Sequence, residues 1–113
     1  MTKIATSIEQ SKILKGMLPL ESADMGWYYS KDPYAARNQM WLGTKVENAD
    51  LPAWSLAALL EILPEPILTQ FSEDKWNVAI FDKDNHFKEE CFADNPIDCC
   101  YEMILKLHEQ KLL

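Results

Sequence analysis

The chain has 113 residues, 48% hydrophobic and 11% aromatic, and carries 11 Lys+Arg against 18 Asp+Glu for a formal charge of −7. This composition points to one globular domain over residues 1–113 with a real core, and excludes a disordered chain. The acidic excess argues against direct binding to nucleic acid or to anionic lipid, whose phosphates repel it.

The excess is lopsided. Residues 1–56 hold six basic and six acidic side chains, whereas 57–113 hold five basic and twelve acidic. No apolar run reaches the roughly 18 residues of a membrane-spanning helix. Met1 to Ser7 has one lysine and no apolar stretch, so no signal peptide is expected and a cytoplasmic location follows. Three cysteines, Cys91, Cys99 and Cys100, are odd in number and two are adjacent, which predicts reduced thiols.

In chain order, Thr6 or Ser7 predicts a helix cap, and with Ser7 as cap Gln10 three residues on completes a capping box for a surface helix over Ile8 to Gly16. Gly16 suits a left-handed helix end. Pro19 to Met25 reads as a turn or loop. Trp27-Tyr28-Tyr29 and Gln39-Met40-Trp41-Leu42 have the composition of two short strands, joined by a polar loop from Ser30 to Asn38 in which Asp32-Pro33 favours a turn.

Leu51 to Pro64 contains only Ser55 and Glu61 as non-proline polar residues, and Leu56, Leu59, Leu60 and Leu63 recur at helical spacing. It predicts a short central helix, bracketed by Pro52 in its first turn and stopped by Pro64, around which the other elements pack. The segment Pro66 to Phe71 stays undecided between strand and irregular structure. Trp76 to Phe81 and Phe87 to Phe92, separated by the polar tract Asp82-Lys83-Asp84-Asn85, predict a β-hairpin whose second strand is a charged edge. Its expected faces are Trp76, Val78 and Ile80 on the first strand, and Phe87, Glu89 and Cys91 opposite to Lys88, Glu90 and Phe92 on the second.

Asn95 as cap, Pro96 at the first helical position and Asp98 in the first turn predict a last helix ending near Gln110 or Lys111. Its buried stripe is expected at Ile97, Cys100, Tyr101, Ile104, Leu107 and His108. The sum is an α+β fold of three helices packed on a small antiparallel sheet of three to four strands.

The chemistry-bearing residues give no catalytic constellation. Cys91, Cys99, Cys100, His86 and His108 include zinc-ligand types, but no Cys-x-x-Cys pair exists and no metal or other cofactor is expected. Cys99 in a first helical turn, with His86 as a base, is the sharpest enzymatic alternative; Asp94, Asp98 and Glu102 nearby oppose thiolate formation. Asp82 to His86 begins like a calcium loop but has Phe87 where glycine is needed and Ala93 where glutamate is needed.

The aromatic region holds the expected binding residues: Trp27, Tyr29, Tyr34, Arg37 and Trp41, a set suited to anchoring a partner but too poor in cations to form a nucleic-acid groove. Ile8-Glu9-Gln10-Ser11-Lys12 with Ala23-Asp24-Met25, Pro52-Ala53-Trp54-Ser55-Leu56, and Asn95-Pro96 with Tyr101-Glu102-Met103 resemble a group of small uncharacterised proteins carried by phages and mobile elements of intestinal bacteria. The resemblance implies a phage-related cytoplasmic origin and a shared fold, and supplies no site. The leading expectation is a non-enzymatic binding or assembly module with a protein partner or a second copy of itself. The alternatives are an acidic inhibitor or nucleic-acid mimic acting on a host enzyme, and a cysteine-dependent enzyme using Cys99.

Overall fold

A computed structural model describes residues 3–30, 40–81, 84 and 86–113. The architecture is α+β: α1 (Ile8–Lys15), a 3₁₀ turn (Leu20–Ser22), β1 (Met25–Tyr29), β2 (Met40–Gly43), β3 (Leu51–Ala53), α2 (Leu56–Ile62), β4 (Ile67–Ser72), β5 (Lys75–Phe81), β6 (Phe87–Ala93) and α3 (Pro96–Glu109). The three expected helices are present. The strands divide into two antiparallel three-stranded sheets, ordered β2-β1-β3 and β4-β5-β6, where a single small sheet was expected.

The division originates at Pro52. The predicted central helix over Leu51 to Pro64 is cut in two: Leu51, Pro52 and Ala53 form β3, with Leu51 opposite Trp27 and Ala53 opposite Met25. Proline is tolerated there because β3 is an edge strand. The helix starts only after Ser55, whose hydroxyl accepts from the Ala58 amide at 3.3 Å. Asp24 fixes this start, accepting from the Ser55 amide at 2.9 Å and from the Ser55 hydroxyl.

Between strand and helix sits Trp54, fully buried. Its amide donates to the Thr6 hydroxyl at 3.1 Å, its carbonyl accepts from the Thr6 amide at 2.9 Å, and its indole donates to the Ser22 hydroxyl at 3.0 Å. One large apolar ring is thus placed in the core while its polar groups are satisfied by two other parts of the chain, at Thr6 and Ser22.

The element that contributes most residues to the core is α3, with Ile97, Cys99, Cys100, Tyr101, Met103, Ile104 and Leu107 buried. Its predicted stripe is extended by Cys99 and Met103 and loses His108, which is exposed. The reason is breadth: α3 packs against both β5 and β6 as well as α2, so more than one helical stripe meets protein. A continuous core links Leu14, Trp54 and Leu59 with Val78 and Ile80 of the second sheet and with α3.

The helix termini follow the sequence closely. Ser7 and Gln10 form the reciprocal capping box of α1, and Asn95 caps α3 by accepting from the Asp98 amide at 2.9 Å. The two caps meet: the Asp98 carboxylate accepts from Lys3 Nζ at 2.7 Å and from Gln10 Nε2 at 2.8 Å. Gly16 caps α1 at φ −80°, so the left-handed freedom expected of it is not used.

Asp82, Lys83 and Asn85 of the predicted hairpin turn, and with them most of the calcium-like tract, lie outside the described residues. The hairpin strands themselves form, with Trp76, Val78 and Ile80 on the face toward α3. A register shift between Ile80 and Phe81 places Phe87 opposite Phe81 and leaves Lys88 as the extra residue. Phe87 therefore joins Phe92 on the outer face instead of sharing the Cys91 face, because a bulge inverts the alternation beyond it.

Candidate binding groove on the first sheet

The antiparallel register of β1 and β2 sets Tyr28 opposite Trp41, and their rings stack with centroids 4.8 Å apart at 19°. Gly43 permits this: a Cβ there would lie 2.7 Å from Tyr28 Cε2, so the tyrosine ring lies across bare backbone. The Tyr28 hydroxyl is held between the carbonyls of Lys45 and Glu47, at 2.7 and 2.8 Å. Gly26 brings the same loop close, since a Cβ there would lie 2.9 Å from the Lys45 carbonyl.

The loop is stapled to β1 at its other end. Asp50 accepts from the Tyr29 amide at 2.8 Å, and its own amide donates to the Trp27 carbonyl at 3.1 Å. Asn48 takes the left-handed φ of 59°, which asparagine adopts more readily than most residues and which turns the chain back. The result is an open groove of about 640 Å³ with Tyr28, Trp41, Lys45, Glu47 and Asp50 among its walls. Trp41 is 54% exposed at its rim.

Of the five sequence-predicted binding residues, the three that are described, Trp27, Tyr29 and Trp41, are not brought to one surface. Trp41 stands in the groove with Tyr28. Trp27, one position away, belongs to the opposite side of the sheet, where its indole donates to the Thr6 carbonyl at 3.1 Å and the ring is half-buried. Tyr29 is 51% exposed and lies between this groove and a second one bounded by Ser7, Ile8, Glu9, Lys12 and Met40. Tyr34 and Arg37 lie outside the described residues. Tyr28 was passed over in the sequence, although strand alternation and its cross-strand position mark it as the partner of Trp41.

The thiols sit elsewhere and are closed off. Cys91, Cys99 and Cys100 are free and buried. Cys99 Sγ donates to the Trp76 carbonyl at 3.1 Å, and burial pushes its pKa up to about 11. Burial likewise pushes Cys100 to about 12. His86 is exposed at the β5–β6 connection, whereas Cys99 lies beneath the sheet. Among the described residues no three His, Cys, Asp or Glu side chains converge as a metal site would require, and no helix is long and apolar enough to cross a membrane.

In comparisons with protein-family models, curated proteins and solved structures, none matches this chain.

Proposed function

We propose that the chain is a non-enzymatic binding module that takes a protein partner at the Tyr28–Trp41 groove. The observation that carries this is the Trp41 ring itself: more than half exposed, yet backed by a tyrosine whose hydroxyl is anchored to two carbonyls. A large amphipathic ring held in place before contact loses little entropy on binding, which is why Trp and Tyr dominate the energetic centres of interfaces. Lys45, Glu47 and Asp50 mix signs around it, which favours a protein surface over a phosphate backbone.

The two alternatives draw less support. The carboxylates are spread over separate regions: Glu47 and Asp50 in the aromatic groove, Glu21 and Glu61 at another, and Glu90, Asp94, Asp98 and Glu102 at a third that also holds Lys106. A nucleic-acid mimic needs them in one strip. A cysteine enzyme needs a thiolate within reach of substrate, and Cys99 is buried and protonated at neutral pH.

The resemblance to phage and mobile-element proteins indicates where a partner is to be sought. Immobilised protein is expected to retain a partner from extracts of phage-infected bacteria, and Trp41→Ala to lose it with an unchanged circular-dichroism spectrum and melting temperature. Equal retention by the wild type and Trp41→Ala would rule the groove out.

A further inference from the structure

Each sheet has two edges, and three of the four are guarded. β2 has only four residues. The β3 edge contains Pro52, and the chain beside it is bridged from Ala5 to Ser55. β6 carries Lys88, Glu89 and Glu90, and Lys106 Nζ donates to the Glu90 carbonyl at 3.2 Å.

The fourth edge, β4, has none of these devices. Its six residues, Ile67-Leu68-Thr69-Gln70-Phe71-Ser72, include no charge and no proline, and among the described residues no backbone hydrogen bond beyond its ladder with β5 reaches them. Natural edge strands are blunted by charge, proline or brevity because an open ladder templates further pairing.

We infer that β4 pairs antiparallel with β4 of a second copy of this chain, joining the two β4-β5-β6 sheets into one six-stranded sheet. The strand is self-complementary about Thr69. Placing Thr69 opposite its own symmetry mate sets Ile67 against the other copy's Phe71 and Leu68 against its Gln70, each pair on one face of the sheet, as antiparallel pairing requires.

Ile67 and Phe71 are 53% and 60% exposed in the monomer, and an aromatic facing a β-branched residue is a favoured cross-strand pair. The strand irregularity at Phe71 falls at the end of β4. Its ring stays on the outer face, 6.1 Å from that of Phe92, with Lys75 Nζ 6.0 and 5.5 Å from the two centroids.

The self-matching register selects a second copy as the occupant. Two molecules of charge −7 repel, but β4 itself brings no charge to the contact. A twofold contact also needs one surface that matches itself, which the Thr69-centred register supplies.

Sedimentation equilibrium tests this. The wild type is expected at about twice the 13.1 kDa monomer mass, more firmly so as salt screens the repulsion. Thr69→Lys, which sets two ammonium groups face to face at the axis, is expected at monomer mass, and Trp41→Ala is expected to stay dimeric. Thr69→Cys, oxidised with diamide, is expected to form an interchain disulfide faster than Gln70→Cys, whose symmetry mate is two positions off. This last comparison decides the register even where Thr69→Lys fails to fold.

A monomeric wild type, a dimer that survives Thr69→Lys or weakens with salt, dissolution by Trp41→Ala, or equal cross-linking of the two cysteine variants overturns the proposal. None of these results alters the partner-retention test of the groove.

Discussion

At the scale of single residues, polar groups hold the fold together where the apolar pattern alone would leave it ambiguous. Asp24 is the clearest case: with its two oxygens it fixes both the backbone and the side chain of Ser55, and so the first turn of α2. The thiols play the opposite part, as small apolar filling. The folded pKa of Cys99, about 11, and of Cys100, about 12, both lie above the ordinary 9.0, so the folded chain holds these protons more tightly than the unfolded chain. Their contribution to stability is complete below about pH 9, where both states are protonated, and is lost as pH rises through the folded values. Urea midpoints are therefore expected to fall steadily above about pH 9, with a shallower decline in Cys100→Ala. Alkylation of all three thiols at neutral pH should be slow without denaturant.

Among the elements, the N-termini of α1 and α3 behave as one joint. Asp98 lies at its centre, accepting from Lys3 and Gln10 on one side and from the side-chain Nδ2 of Asn95, the cap of its own helix. Partial burial works against its charged form, but the hydrogen bonds from Lys3, Gln10 and Asn95 together outweigh that and hold its pKa below the usual 3.8. A carboxylate depressed on folding adds stability above its unfolded pKa, and that stability is lost as pH falls through the folded value. Asp98→Asn is therefore expected to flatten the loss of stability below about pH 4, measured by urea titration at successive pH values.

The capping residues of both helices were legible in the sequence, since a cap needs only its own neighbours. The partnership between the caps was not, because it joins residues 95 positions apart. The two-strand aromatic region was legible as strands, but which rings share a face depends on pairing register, and so Tyr28 was missed while Trp27 was included. The outward place of Phe87 escaped for a related reason: the bulge at Lys88 inverts the alternation beyond it, a change that no period-two pattern announces.

For the molecule as a whole, one core joins α1, Trp54 and α2 to the second sheet and α3, with Leu59 among its fully buried members, and the first sheet is tied to it through the packing of α1 on β3. Leu59→Ala is expected to cost about 2–5 kcal/mol, a large part of a small domain's stability. Because α1 belongs to that core and also packs on β3, near-ultraviolet and far-ultraviolet signals should be lost together in a single urea transition; a separate transition for the first sheet would contradict this coupling.

The sequence by itself determined the α+β class, the presence of three helices with the caps of α1 and α3, and the burial of Cys100, because each follows from spacing and side-chain chemistry within a dozen residues. Only the tertiary structure decided that Leu51 to Ala53 is a strand, that the strands form two sheets, and that α3 is buried beyond its predicted stripe, at Cys99 and Met103. Those outcomes depend on which distant segment meets which: β1 must offer its edge before Pro52 can sit in a strand, and β5 and β6 must lie across α3 before its flanks are covered.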